Sequence, residues 1–154
     1  MERLRGHKRG VYGPMSNLIW DKQHSIGHDE LDNQHRELIR IYNEFSSAVK
    51  RGENRAMLDN LLNQLIDNID IHFTSEENHM VENDYPDLMI HKKEHDRFLI
   101  EFNKLRAKFS HCESDSCEAL PDFLKNWFAT HFVENDRKFA EYINGAKIKA
   151  NPFD

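Results

Sequence analysis

The chain has 154 residues, a net charge of −6 with histidine neutral, 31% charged side chains and 38% hydrophobic ones. That length supports one domain with a proper core and not two. The acidic balance excludes nucleic acid as an expected partner. No apolar run is long enough to span a bilayer, so the chain reads as a cytoplasmic protein with no membrane partner.

Residues 1–17 contain three glycines and a proline and show no periodicity, which predicts an irregular leader. The basic cluster Arg3, Arg5, Lys8 and Arg9 precedes no apolar stretch, so it is not the start of a secretory signal, and Met15 offers an alternative start. From Leu31 the apolar positions Leu38, Tyr42, Phe45 and Val49 form one helical stripe, ended by Gly52. A second stripe runs Leu58, Leu62, Leu65, Ile69 and Phe73 towards Met80, and breaks in a turn around Asn83, Asp84, Tyr85 and Pro86. The third is Leu88, Phe98, Phe102, Leu105 and Phe109. The fourth, broader, holds Leu120, Leu124, Trp127, Phe128, Phe132, Phe139 and Ile143, with Pro121 suited to its first turn. No alternating run competes for strand. The expected fold is all-α: an antiparallel up-down-up-down four-helix bundle over residues 18–148, with residues 149–154 as a tail. Cys112 and Cys117 lie in the polar stretch between the last two helices and read as reduced loop thiols, a local disulfide or redox switch being the alternative.

The ten histidines are several times ordinary usage, and the gaps in the stripes account for half of them. His35 fills the space between Leu31 and Leu38. His72 follows Ile69 by three, and Glu76 follows His72 by four. His91 and His95 lie between Leu88 and Phe98, and His131 follows Trp127 by four. Polar groups therefore occupy the inward seam of all four helices. Burying one unpaired polar side chain costs several kcal/mol, on the order of 2–7, so a convergent set requires a shared ligand. Imidazole together with carboxylate indicates a transition metal. Spacing alone is weak evidence: His24 and His28 are also four apart, but they straddle Gly27 before the first good stripe and read as a surface pair. His7, His79 and His111 fall off the stripes and read as solvated.

The segments DNQH at 32–35, HFTSE at 72–76, HKKEH at 91–95 and WFATHFVEND at 127–136 resemble the hemerythrin family, specifically its bacterial members. The likeness covers about residues 20–143. It implies two iron ions joined by an oxo or hydroxo bridge. His91, His95 and His131 would cap one iron, His35 and His72 the other, and Glu76 and Asp136 would bridge them. Asp136 comes from the resemblance rather than the stripe, since five residues after His131 lies about 140° round an ideal helix. The iron with fewer protein ligands keeps an open position for dioxygen, in an apolar pocket expected from Leu38, Phe73, Trp127, Phe128 and Phe132. There are departures: His28 and Phe132 stand where the family usually has an apolar residue and a smaller aliphatic, and the leader is longer and more basic.

Five neutral histidines with two carboxylates are far less anionic than the donor sets of di-iron oxygenases, which favours reversible gas binding over oxidation chemistry. The expected function is oxygen carriage, storage or delivery rather than catalysis. Alternatives are an oxygen or redox sensor module, a di-iron enzyme acting on peroxide or nitric oxide, and iron storage. Manganese, cobalt or zinc would also suit the ligands.

Overall fold

The computed structural model describes residues 17–111 and 117–150, with side chains to residue 145; most of the predicted leader and the last four residues lie outside the described residues. A 3-10 turn at Lys22–His24 precedes helix α1 (Asp29–Lys50), followed by α2 (Arg55–Glu82), α3 (Leu88–Phe109) and α4 (Ala119–Thr130). A π-helical segment, His131–Asn135, joins α4 without a break to α5 (Asp136–Ala150), so these three pieces make the fourth rod of the bundle. Among the described residues there is no strand, and the all-α four-helix expectation holds.

The turns follow from local chemistry. At the end of α1, Gly52 adopts φ +68, the left-handed conformation that glycine enters without penalty. Its N–H bonds to the Val49 carbonyl and that of Glu53 to the Ala48 carbonyl, the paired closure of a Schellman motif. The α2 terminus repeats the device with Asp84 at φ 50: Asp84 N–H reaches the Val81 carbonyl and Tyr85 N–H the Met80 carbonyl. Met80 and Tyr85 are both buried, completing the apolar contact that accompanies this cap. Asn54 caps α2 by accepting the Met57 N–H at 2.9 Å.

Contacts between helix ends give the antiparallel order. The guanidinium of Arg55 at the start of α2 donates to the Phe109 carbonyl at the end of α3. Gln34 near the start of α1 donates to Ser75 late in α2. Phe128 packs on Tyr42 while Phe132 packs on His35, so the fourth rod runs against α1.

The core has three layers. A large apolar cluster includes Leu38, Tyr42, Leu65, Phe73, Phe98, Phe128 and Phe132. A smaller one at the other end is formed by Ile26, Leu31, Met80, Tyr85, Phe139, Ala140 and Ile143. Each rod crosses from one cluster to the other through polar residues: His35 between Leu31 and Leu38, Glu76 between Phe73 and Met80, His91 and His95 between Leu88 and Phe98, His131 and Asp136 between Phe128 and Phe139.

Cys117 corrects one expectation: it is disulfide-bonded rather than a reduced thiol. Cys112 lies outside the described residues. A five-residue separation within one helix connection permits a local bridge, and a polar setting carries no information about redox state. Among the described residues no helix is long and apolar enough to cross a membrane.

Candidate metal centre

His35, His72, Glu76, His91, His95, His131 and Asp136 meet in the polar layer, every one of them buried. Their donor atoms form two overlapping groups. One holds Glu76, His91, His95, His131 and Asp136; the other holds His35, His72, Glu76 and Asp136. The two carboxylates are common to both, and each divides its oxygens between them. Glu76 Oε1 lies 2.6 Å from His91 Nε2 while its Oε2 lies 3.0 Å from His72 Nε2. Asp136 Oδ1 is 2.9 Å from His131 Nε2 and 3.2 Å from His91 Nε2, and its Oδ2 is 2.9 Å from His35 Nε2.

The outer nitrogens decide what the inner ones can do. His35 Nδ1 donates to the His24 carbonyl at 3.1 Å, His72 Nδ1 to Gln34 Oε1 at 2.9 Å, and His95 Nδ1 to the Glu77 carboxylate at 2.9 Å. His131 Nδ1 faces the Asn135 side-chain amide at 3.1 Å. With its proton committed outward, a neutral imidazole presents a lone pair at Nε2. The Nε2 atoms of His35 and His72 face each other at 3.0 Å, and those of His95 and His131 at 3.1 Å. Between His35 and His72 paired lone pairs at that range repel unless a cation or a proton sits among them, whereas the Asn135 amide N–H donates to His131 Nδ1 and leaves the proton of the neutral His131 ring on Nε2. Both oxygens of Glu76, both of Asp136 and His91 Nε2 have no directed hydrogen bond despite complete burial, a costly state for ionised groups without a cation. The separations themselves suit a first-row metal: ligands about 2.1 Å from one ion at right angles stand about 3.0 Å apart. The residues therefore fit a pair of metal ions.

Without metal, protons on the imidazoles balance the two carboxylates. Burial and the charge of Asp136 work against ionisation of Glu76, yet contact with His72 and His91 holds its carboxyl below the usual range. Burial likewise opposes the Asp136 charge, and His131, His35 and His72 hold it well below. Burial disfavours a charged His72, but Asp136 and Glu76 outweigh it and raise the group to about 9; the same balance raises His91 to about 10. His95 is pushed down to about 3, mainly by burial.

The π segment brings Asp136 to its place. An α turn would leave it off the seam, but the Asp136 N–H bonds to the His131 carbonyl, an i→i+5 closure. That turn holds one residue more than an α turn, so the fifth residue returns to the same face.

The five expected pocket residues sort by position. Phe132 stacks on His35 at 3.8 Å, with Phe128 behind it at 5.3 Å, and Leu38 is fully buried in the same cluster. Phe73 stacks on His95 at 3.8 Å and reaches His72 only at 6.1 Å. Trp127 stacks on His131 at 4.1 Å and is half-buried. Phe73 and Trp127 thus lie primarily against the three-histidine group.

Sequence reasoning missed the outer partners Gln34, Glu77 and Asn135; their adjacency to ligand positions was a signal available in the sequence. It also misjudged the amino-terminal histidines. His24 is buried, accepts the Asp21 N–H at Nδ1 and supplies the carbonyl that orients His35. His28 is half-buried and caps α1, and His79 is half-buried beside it rather than solvated. Spacing cannot register caps formed outside a stripe. His111 is exposed as expected, and His7 lies outside the described residues.

A four-helix bundle enclosing a two-lobed nest of imidazoles and shared carboxylates is a protein built to hold metal. The family model described as Hemerythrin HHE cation binding domain matches residues 26–143. The chain belongs to the hemerythrin family. It is similar to the bacteriohemerythrin of Clostridium acetobutylicum, 27% identical over 128 residues covering 80% of this chain and 99% of the relative. The bacteriohemerythrin of Stenotrophomonas maltophilia is 30% identical over 129 residues, 84% of this chain and 83% of the relative. That of Methylococcus capsulatus is 30% identical over 113 residues, 73% and 86% respectively. No solved structure gives a significant match.

Proposed function

We propose that the protein binds dioxygen reversibly at a non-haem di-iron centre, with His91, His95 and His131 on one iron, His35 and His72 on the other, and Glu76 and Asp136 bridging. The observation that carries this is the asymmetry of the donor groups: the shared carboxylates serve three histidines on one side and two on the other. The side with one donor fewer is where a small ligand can enter. A metal pair held by these residues would supply the reversible two-electron chemistry that binding the gas requires.

The chain's own residues do the rest. The Nδ1 contacts of His35, His72 and His95 keep their rings neutral and aimed, which fixes ligand geometry and raises ligand basicity. Phe132 covers His35 and His72, with Phe128 behind it and Leu38 buried in the same cluster, a hydrocarbon wall that excludes water from the two-histidine side. Exclusion matters because a proton delivered to reduced oxygen would let it leave without returning its electrons. The donor set carries two negative charges from its carboxylates, too few to favour higher oxidation states, and so supports binding over catalysis. A soluble carrier, store or delivery protein is the role we favour.

The test is anaerobic reduction followed by rapid mixing with dioxygen. Two iron per chain and a visible charge-transfer band that vanishes when oxygen is removed are expected. Continuous oxygen consumption with an added reductant would replace this reading with an enzymatic one, and a chain without iron would end both.

A further inference from the structure

A second group of donors lies outside the buried layer, where the amino end of α1 meets the carboxyl end of α2. His79 Nε2 is 3.3 Å from Glu30 Oε2, and the His28 and His79 rings stand 4.4 Å apart between centroids. One donor atom from each of His28, Glu30 and His79 lies within 4.8 Å of the others. Two ligands about 2.0–2.1 Å from a tetrahedral ion are separated by about 3.3–3.4 Å, which matches the His79–Glu30 distance. We propose that His28, Glu30 and His79 form a solvent-accessible site for one divalent first-row transition ion, zinc being the probe of choice.

Three features support the site. Glu82 Oε2 lies 3.6 Å from His79 Nδ1, beyond hydrogen-bond range, and adds negative charge on the outer side of the ring while Nε2 faces the site. The local field favours a cation. Asp29 and Glu30 carry full negative charges in the first turn of α1 and, with the negative pole at the carboxyl end of α2, outweigh the partial positive charge at the amino end of α1. Finally, the competing role of His28 is weak: its cap contact to the Leu31 N–H is 3.5 Å, the outer limit of a hydrogen bond, and is readily exchanged for a metal bond. His79 and Glu30 are 24% and 56% exposed at their side chains, so water can complete the coordination and the ion can exchange.

The site is independent of the buried pair. His79 is only three residues beyond Glu76, but it shares no donor with the buried groups and is partly exposed, whereas Glu76 is fully buried. An ion held here would tie α1 to α2 at the end of the bundle where the chain turns towards His24, whose carbonyl orients His35.

The experiment titrates the metal-loaded protein with zinc against a chromophoric chelator, with iron counted in the same samples. One exchangeable zinc per chain is expected beyond the resident metal. His79→Ala should weaken zinc about a hundredfold, with iron content unchanged. His28→Asn retains an acceptor for the cap while removing the imidazole, and should also abolish tight zinc binding. A wild-type chain that takes up no exchangeable zinc, or variants that bind it as tightly as wild type, would overturn the proposal. Loss of the exchangeable zinc in His72→Ala but not in His79→Ala would assign that ion to the buried centre and overturn it equally.

Discussion

Gln34 and Glu77 touch no metal position, yet they decide which nitrogen of His72 and His95 is free. Replacing Gln34 by Leu keeps the shape but removes the acceptor at 2.9 Å from His72 Nδ1. The ring can then turn or move its proton to Nε2. Metal affinity is expected to fall about 10–100-fold, measured by chelator competition, with helical content unchanged. The protons of the centre predict a second effect. His72 and His91, raised to about 9 and 10, hold protons at neutral pH when no metal is present. Metal entering the site must displace them. Loading at pH 7 should release roughly two protons per chain, and affinity should weaken as pH falls from about 9 towards 7. Calorimetry in buffers of different ionisation enthalpy measures the count; release of none would mean the charges are balanced elsewhere.

At the scale of elements, the fourth rod is the informative one. Periodicity placed His131 on the seam but not Asp136, because a count of 3.6 residues per turn assumes no interruption. The π segment is that interruption, and nothing in HFVEN announces it. Deleting Glu134, which is exposed, removes the extra residue and leaves the two donors four apart on a regular turn. Iron content should then persist near two per chain and the thermal midpoint should rise, since a regular α ladder replaces the wider, interrupted one. Inserting an alanine after Asn135 instead carries Asp136 about 100° off the face, and iron should be lost while circular dichroism stays helical. The other three rods were legible because their ligands obey the α period: His35, His72, Glu76, His91 and His95 each occupy a skipped position in an apolar stripe. What stayed hidden were contacts made across or beyond a stripe: the His24 carbonyl, the His28 cap and the bridge at Cys117. These depend on how the chain turns outside the helices, and no repeat encodes that.

For the whole molecule, the three-layer core makes folding and metal binding one process. Two apolar clusters close over a layer whose carboxylate oxygens lack directed partners. Without metal that layer is balanced only by protons on its imidazoles and opposes the burial on either side. Removing metal with a chelator should lower the thermal midpoint by an amount that grows with the logarithm of free metal over its dissociation constant, about 4 kcal/mol of stability at a thousandfold excess. A midpoint indifferent to the chelator would show that the apolar clusters alone hold the bundle.

Trp127 spans two environments. One face of its indole lies 14° from parallel with the His131 ring, and its edge lines a cleft of about 360 Å³ between α3 and α4. A transition ion on His131 would sit close enough to quench the excited indole, so emission from this side chain should dim as the interior fills. The protein carries its own gauge: following that light during titration, with Trp127→Phe as the blank, counts occupancy of the three-histidine side without any added dye.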